Sequence, residues 1–448
     1  MSNKNAKLGG LTLFNIVLFG FMGQVAWAVE NNFFNLFLFN KIGGTSRDIS
    51  HMVAASAVVA VLTTIFMGTL SDKVNRRKIF ICGGYLIWGF TVMVFAWISR
   101  ENVAKLFGID VAQVLPATVA VVIIMDCLMT FFGSTSNDAA FNAWITDITS
   151  TENRARTEGL LATLPVLAMV IVTVAFGAIV GGDPENGYSK GFIGLGVLVA
   201  LCGLIGLFTI KDSRSGVKSE SNFWADLIYG FRPSVIRNHK ALYLSLLSMG
   251  IFSIASQVFF PYLFIYVQHQ IGLDLGNLNL TPAAIVIAVL AVAGVIAGCI
   301  AIGSLMDKVG KSYFSFPATA LFIIGLALVY FAKDLLWFAV FAVVAFAGYG
   351  LLMIMLNAAI RDFTPEDKVG QFQGVRMIFV VMLPMLIGPA IGSAVTEKFA
   401  VLTYTNDYNE IVNVPPPHIY VAAALTALPI LLVLVFLFKE WKKAEKKA

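Results

Sequence analysis

The stretch GTLSDKVNRRK, Gly68–Lys78, concentrates charge in a chain that otherwise has little of it. Of the 448 residues, 13% are charged and 58% are hydrophobic. A second stretch, GSLMDKVGKSY, begins at Gly303 and repeats glycine, leucine, aspartate, lysine and valine at the same positions. Such a repeat indicates two related halves.

A second pair of segments supports the duplication. NAWITDIT begins at Asn142 and NAAIRDFT begins at Asn357, and they share asparagine, alanine, isoleucine, aspartate and threonine. We therefore predict an N-terminal bundle over 1–210, a cytoplasmic linker with an amphipathic helix over 211–240, and a C-terminal bundle with a basic tail over 241–448.

Apolar runs long enough to cross a bilayer recur along the whole chain. About 20 residues of helix span the ~30 Å hydrocarbon core. Alternating barrel segments are absent, so the backbone must satisfy its hydrogen bonds within helices. We predict an all-α polytopic membrane protein with twelve transmembrane helices in two six-helix bundles, near 10–38, 51–71, 77–98, 116–141, 158–181, 190–210, 241–267, 281–303, 312–332, 335–357, 374–395 and 419–438.

The basic residues give the orientation. With the N-terminus inside, 24 of the 31 Lys and Arg residues fall in inner segments, which places both termini in the cytoplasm by the positive-inside rule. The net charge of +5 then reflects membrane topology, and we expect no nucleic-acid partner. We expect a multi-pass protein of the plasma or inner membrane, surrounded by lipid and monomeric.

The loop at Gly68 and its weaker copy resemble the signature loop of the major facilitator superfamily, which repeats it between the second and third and between the eighth and ninth helices. The resemblance covers essentially the whole chain and implies the major facilitator fold and alternating access. It also implies a gating role for the loop aspartates and their basic neighbours. We assign that role to Gly68, Asp72, Arg76, Arg77, Gly303, Asp307 and Arg376.

Acidic side chains inside a bilayer are costly and commonly functional. Only Glu30, Asp126 and Asp138, of 26 acidic residues, lie well within predicted spans. Asp126 begins a polar stripe on one face of the fourth span, and Asp138 borders that stripe. These three acids are our candidates for proton coupling, since burial disfavours the charged form of a carboxyl group.

Amides and aromatic rings accompany the acids. A wall of carboxylates, amides and rings suits a ligand dense in hydroxyls, which binds by paired hydrogen bonds and by stacking of its C–H faces. An intramembrane amide can equally bridge two helices. The predicted substrate-binding residues are Gln24, Trp27, Asn31, Asn35, Asp126, Asn137, Asp138, Gln257 and Tyr262.

Two sugar-transporting groups of the superfamily are similar to this chain. FMGQVAWAVENNFFNLFLFNKIGG resembles the first helix of the glycoside–pentoside–hexuronide (melibiose permease-like) symporters, and WAVE also resembles a motif of the sucrose–proton symporters. SNDAAFNAWITDITSTENRAR resembles the former group's fourth helix and following loop, which implies that Asp138 binds sugar. The group's cation-binding carboxylates align with Ala60 and Thr64, so sodium coupling through them is not expected.

We therefore expect a proton-coupled importer of a sugar or glycoside. The alternative is an exporter of drugs or metabolites with the same fold, although the fifth span lacks the glycine-rich run typical of exporters. We expect no catalytic residue, metal site or cofactor other than the coupling ion, a proton rather than sodium, because no cluster of His, Cys or Glu has suitable spacing.

Overall fold

The computed structural model describes residues 9–74, 76–149, 151–211, 229–273, 298, 311–365 and 369–445. Within these ranges eleven helices are long and apolar enough to cross a membrane. They coincide with eleven of the predicted spans. The eighth predicted span, 281–303, lies outside the described residues, as do Gly303, Asp307 and most of the linker. The chain is a nearly all-helical, multi-pass membrane protein.

The helices are numbered below by the predicted span to which each corresponds. The first to seventh helices are Gly10–Ile42, Ser46–Val74, Arg77–Trp97, Leu115–Ile148, Thr151–Gly182, Gly187–Thr209 and Lys240–Gln270. The ninth to twelfth are Lys311–Val329, Leu335–Phe363, Gly374–Phe399 and His418–Lys443, and the eleventh is preceded without a break by helical residues from Val369. Two shorter helices, Arg100–Phe107 and Pro233–Asn238, lie outside the spans.

A small hairpin between the eleventh and twelfth helices was not predicted. Strands β1 (Thr403–Thr405) and β2 (Ile411–Asn413) pair antiparallel, with Tyr404 opposite Val412. The buried Asn406 side chain organises the turn, because its Oδ1 accepts from two backbone N–H groups and its Nδ2 donates to Glu410. Strands of three residues are too short to leave a period in the sequence.

The described residues form two compact units. The first contains residues up to Gly44 and those from Val58 to Lys211, and the second contains Thr45–Ala57 and the described residues from Tyr229 onward. The second helix thus begins in the second unit and continues in the first. Its start is held within the second unit by Tyr262, whose hydroxyl lies 3.0 Å from the Ser46 carbonyl oxygen.

Glycine allows close backbone approach in the first unit. A methyl group on Gly89 of the third helix would lie 2.6 Å from the backbone nitrogen of Ala200 on the sixth helix, which no real side chain tolerates. The core of the first unit also contains packed aromatic rings. The ring centroids of Phe34 and Phe95 are 4.2 Å apart, and Phe192 packs against both rings. These contacts fix the helices that carry the polar residues.

The second unit has its own aromatic core. Phe252 of the seventh helix packs against Phe322 and Tyr349 with centroids 5.2 and 5.0 Å away. Gly388 and Gly392 let the eleventh helix lie against the seventh, because a methyl group on Gly388 would come within 2.7 Å of the Gln257 backbone. The seventh and eleventh helices therefore contact each other through their backbones.

Several membrane helices widen locally into π-helical turns. Such turns occur at Glu30–Phe34 and Leu38–Ile42 in the first helix, at Ser134–Phe141 in the fourth, at Tyr266–Gln270 in the seventh and at Ile378–Met382 in the eleventh. π-helical turns are rare and often mark functional sites. In the first and fourth helices they coincide with the predicted acidic residues Glu30 and Asp138.

Candidate functional site

Three asparagines of the first helix, Asn31, Asn32 and Asn35, stabilise its π-helical turn at Glu30–Phe34. The amide Nδ2 of each donates to a carbonyl oxygen four residues earlier in the same helix, where the wider turn disturbs the usual backbone pairing. The distances are 2.8 Å from Asn31 to Trp27, 2.8 Å from Asn32 to Ala28 and 2.7 Å from Asn35 to Asn31. The amide donors of Asn31 and Asn35, both predicted to bind substrate, are thus used by their own helix. The buried Oδ1 of Asn35 accepts no hydrogen bond from any described group.

The fourth helix follows the same pattern. Thr135 Oγ1 and Ser136 Oγ donate to the carbonyl oxygens of Phe131 and Phe132 at 2.7 and 2.8 Å, inside or next to the turn at Ser134–Phe141. Hydroxyl side chains at these positions give helix carbonyl groups an additional hydrogen bond. The hydroxyl side chains of the run STSN, 134–137, therefore partly serve to stabilise the local helix backbone.

Asp138 is held by its own helix. Ser134 Oγ donates to Asp138 Oδ2 at 2.9 Å, and Asn142 Nδ2 donates to the Asp138 carbonyl oxygen at 3.0 Å. The Asp138 side chain remains partly accessible, unlike that of Asp126, which is 1% exposed. Asp138 is therefore the most accessible of the three acids.

Glu30 joins the first helix to the fourth. Thr130 Oγ1 donates to Glu30 Oε1 at 3.0 Å, and Glu30 is 8% exposed. The other carboxyl oxygen, Oε2, is buried and has no hydrogen-bond partner among the described groups. Asp126 is close enough to act electrostatically on Glu30. The structure thus brings together two of the three predicted acids, with Asp138 exerting a weaker effect on Glu30.

Asn137 lies in a polar junction that the sequence did not identify. Its Nδ2 donates to the Tyr85 hydroxyl at 2.8 Å, and that hydroxyl donates to the Phe19 carbonyl oxygen at 2.6 Å. One hydrogen-bonded chain therefore links the first, third and fourth helices. Tyr85 is fully buried, and its only sequence signal is a polar tip within an apolar span.

Two tryptophans pack beside this junction. The ring centroids of Trp27 and Trp88 are 5.0 Å apart. Gly133 makes room for them, because a methyl group there would lie 2.8 Å from Trp88 and 2.9 Å from Trp27. Trp88 Nε1 is buried and has no partner among the described groups, and Trp27 is partly accessible. Trp27 is therefore the more accessible of the two tryptophans, and the buried Trp88 packs against it. Gln24, one turn earlier on the first helix, is also partly accessible.

The predicted residues of the seventh helix lie in the second unit. The Tyr262 hydroxyl, fully buried, lies 2.7 Å from the Pro389 carbonyl oxygen and 3.0 Å from that of Ser46. Two carbonyl oxygens compete for its one hydrogen, so this hydroxyl has none left to donate to a ligand. Gln257 is partly accessible and packs against Gly388. Tyr262 here ties three backbone segments together, which the sequence did not predict.

The loop at Gly68 contains a buried arginine. Arg77 is 7% exposed. Its guanidinium pairs with the carboxylates of Asp72 and, at 3.1 Å, of Asp147, and it donates a hydrogen bond to Ser71 Oγ at 2.6 Å. Arg76 is exposed, and nothing lies within 4 Å of where a methyl group on Gly68 would be. Asp147, which belongs to the repeated NAWITDIT segment, thus joins the charged loop.

In the second unit, Asn357 Nδ2 donates to the Met353 carbonyl oxygen at 2.9 Å, four residues earlier, as Asn142 donates to that of Asp138 in the first unit. Arg376 Nη2 donates to Asn357 Oδ1 at 3.0 Å, and Asn357 begins the segment NAAIRDFT. The gating roles predicted for Arg76, Arg77 and Arg376 stay predictions, and those for Gly303 and Asp307 fall outside the described residues.

Buried acids and partly accessible aromatic and amide groups inside a bundle of membrane helices are typical of a membrane transport protein. The sequence profile of the Major Facilitator Superfamily matches residues 16–389 and again 301–447. The chain belongs to the Major Facilitator Superfamily. The predicted superfamily is confirmed, and the narrower likeness to the glycoside–pentoside–hexuronide and sucrose–proton groups stays a prediction.

Individual relatives are more distant. The class C tetracycline resistance protein of Escherichia coli is 25% identical over 364 residues, which cover 79% of this chain and 83% of the relative. A mutant of the nucleoside transporter NupG has a similar fold, with a TM-score of 0.71 and 12% identity over 95% of this chain and 99% of NupG. A bacterial homologue of the human lysosomal transporter Spinster, inward-facing and unoccupied, gives a TM-score of 0.67 and 13% identity over 97% of this chain and 98% of that chain. The two structural likenesses show the fold.

Proposed function

We propose that this transporter carries a sugar or glycoside into the cell by alternating access, together with a proton. The observation that carries the proposal is the hydrogen-bonding inventory of the first unit. The amide donors of Asn31 and Asn35 and the hydroxyls of Thr130 and Ser134 are already used within the protein. The groups left for a ligand include the second oxygen of Asp138, which is an acceptor, and the partly accessible Gln24 amide, which can donate and accept.

A carboxylate oxygen and an amide suit a ligand that both donates and accepts hydrogen bonds. The second oxygen of Asp138 can accept a hydrogen bond, and sugar hydroxyls both donate and accept. The partly accessible ring of Trp27 offers an apolar face on which the C–H face of a sugar stacks. The Asp138 carboxylate would repel an anionic substrate. The resemblance to the glycoside–pentoside–hexuronide symporters, which implies a sugar-binding role for Asp138, supports the proposal.

A proton is the proposed coupling ion. The chain has Ala60 and Thr64 where the similar symporter group has its cation carboxylates. The acids of the first and fourth helices remain available to carry a proton. We place the protein in the plasma or inner membrane as a monomer.

Export of an amphipathic cation is the second candidate. It is favoured by the likeness to a tetracycline resistance protein, and the Asp138 carboxylate would also accept a hydrogen bond from an ammonium group. The two candidates differ in the substrate and in the direction of movement across the membrane.

Uptake into proteoliposomes tests the proposal. The purified chain is assayed for counterflow across a panel of labelled sugars and glycosides, with proton and sodium gradients imposed separately. We expect saturable uptake of at least one sugar and accumulation with the proton gradient alone. Asp138→Asn should abolish sugar binding while the protein stays folded, and Asp110→Asn, in an exposed loop, is the matched control. No uptake of any sugar, together with competition between tetracycline and lipophilic cations, would establish the export candidate instead.

A further inference from the structure

Glu30 has an unequal environment at its two carboxyl oxygens. Oε1 accepts a hydrogen bond from Thr130 at 3.0 Å, whereas the buried Oε2 has no partner among the described groups. A carboxylate carries its charge on both oxygens and needs donors at both, and a buried acceptor left without one costs about 1–3 kcal/mol, or more when charged. A neutral acid has one carbonyl oxygen, which Thr130 satisfies, and one hydroxyl. That hydroxyl also lacks a partner among the described groups, but a buried neutral group without a partner costs less than a buried charged oxygen without one, so the geometry favours the neutral acid.

The neighbours of Glu30 add to this preference. The ionisable groups that act on it are Asp126, Asp138 and Cys127, all on the fourth helix. The fifth helix also packs against the first and has no ionisable side chain from Gly159 to Gly182, and the sixth contributes Tyr188, Lys190 and Cys202, which do not act on Glu30. Among the described residues no cation balances Glu30. When two buried acids lie within electrostatic reach of each other, the state in which they share one proton is more stable than the state in which both are charged.

The second acid of the site is arranged differently. Asp138 is partly accessible, and its Oδ2 is bonded to Ser134 one turn away on the same helix. Ligand contact therefore suits Asp138, whereas Glu30 is shielded and its hydrogen bond crosses from one helix to another. The two positions are suited to different tasks.

We infer that Glu30 holds the transported proton as a neutral carboxylic acid, with Thr130 hydrogen-bonded to its carbonyl oxygen, and that Asp138 contacts the substrate. The claim that this proton is transported rests on the proposed function, whereas the protonation of Glu30 does not depend on it. Binding places one proton on Glu30, and release returns one proton to water, so charge and atoms balance. Loss of that proton would leave a carboxylate with one unpaired oxygen beside Asp126. The charged form would therefore strain the contact between the first and fourth helices and couple the proton to their packing.

Infrared spectroscopy tests the protonation without any substrate. The purified full chain at neutral pH should show the C=O stretching band of a neutral carboxyl group. Glu30→Gln should remove that band, whereas Asp138→Asn and the control Asp110→Asn should keep it. Thr130→Val removes the hydrogen bond to the carbonyl oxygen, so the band should move to higher frequency. Thr130→Ser, which retains the hydroxyl, should restore its position.

Several outcomes would overturn the inference. A band that persists in Glu30→Gln, or that disappears in Asp126→Asn or Asp138→Asn but not in Glu30→Gln, assigns the proton elsewhere. A band that Thr130→Val leaves unmoved removes Thr130 from the site. Glutamine has the shape of the neutral acid, so Glu30→Gln should keep the wild-type thermal midpoint. Should that variant nevertheless misfold, the frequency shift in Thr130→Val decides the matter.

Transport then separates the inference from the proposed function. With a sugar that the wild-type protein transports, Glu30→Gln should keep counterflow at equal pH and lose accumulation driven by a proton gradient. Asp138→Asn should lose both. Accumulation by Glu30→Gln at the wild-type level would refute the role of Glu30 in coupling, while the sugar-transport proposal would stand. If the wild-type protein transports no sugar, the proposed function fails and the infrared result still reports whether Glu30 is protonated.

Discussion

Tyr85→Phe removes one oxygen atom from the junction that links three helices of the first unit. That oxygen donates to the Phe19 carbonyl oxygen at 2.6 Å and accepts from Asn137 Nδ2 at 2.8 Å. The phenylalanine ring fills the same space, so packing is preserved and the change isolates the hydrogen bonds. The substitution leaves the Asn137 amide with its longer contact to Phe19, at 3.5 Å.

The magnitude follows from the two lost bonds. Hydrogen bonds between membrane helices are worth about 0.6 kcal/mol on average and up to about 1.7 kcal/mol. Two of them, one made by a buried amide, give an expected loss of about 1–3 kcal/mol in the free energy of unfolding. The measurement is unfolding of the purified protein in mixed micelles by a denaturing detergent.

The matched control is Tyr420→Phe. Tyr420 is 2% exposed, but its hydroxyl has no partner among the described groups. Removing an unpaired polar group from a buried site costs nothing in hydrogen bonding, so this variant should be as stable as the wild type or slightly more stable. Equal losses in the two variants would show that the Tyr85 bonds contribute nothing specific.

A double-mutant cycle tests the pairing directly. Asn137→Ala removes the donor to Tyr85, and the combined variant should lose less stability than the sum of the single losses, with a coupling energy of about 1 kcal/mol. Additive losses would refute the direct Tyr85–Asn137 bond.

Three further predictions concern packing and charge. Gly89→Ala should lower the unfolding free energy by about 1–3 kcal/mol, because its methyl group would clash with the backbone of the sixth helix. Gly83→Ala, also on the third helix but with open space around it, should not lower it. Equal effects in detergent unfolding would contradict the close approach of the two helices. Asp147→Asn should lower the thermal midpoint more than Asp72→Asn. Both carboxylates pair with the buried Arg77, but the Asp147 side chain is 14% exposed and that of Asp72 is 49% exposed. A larger loss in Asp72→Asn would contradict this reasoning. Arg47 and Glu397 form an exposed ion pair in the second unit, 2.8 Å apart. Reversing either charge should lower the unfolding free energy by less than about 1 kcal/mol, the loss should diminish at high salt, and reversing both charges should restore stability. A salt-independent loss would argue against the ion pair.

Much of the architecture could be predicted from the sequence. The length and spacing of apolar runs placed eleven membrane helices at the observed positions, since crossing hydrocarbon requires a continuous helical segment that any sequence must show. The repeated charged loop led to the superfamily. The acids Glu30, Asp126 and Asp138 stood out because charge is rare in such spans, and the structure brings the first two into electrostatic contact.

The roles of the polar side chains were harder to predict. Asn31 and Asn35 lie on the predicted face of the first helix, but their amides bond to that helix's own carbonyl oxygens. Tyr262 lies in the predicted seventh span, but its hydroxyl is held by two backbone carbonyl oxygens from distant parts of the chain. A helical period indicates the face on which a side chain lies. It does not indicate whether a neighbouring backbone already uses its hydrogen-bonding groups.

The sequence by itself determined that this protein lies in a membrane and which acids lie within its spans, because these properties follow from composition and spacing. Only the tertiary structure decided that Thr130 faces Glu30, that Tyr85 joins Asn137 to the first helix, and that Asp138 stays partly accessible while Asp126 does not. The physical reason is that such pairings depend on the rotation and closeness of neighbouring helices. Small residues such as Gly133 and the local π-helical turns set both, and a π-helical turn shifts every later side chain around the helix axis.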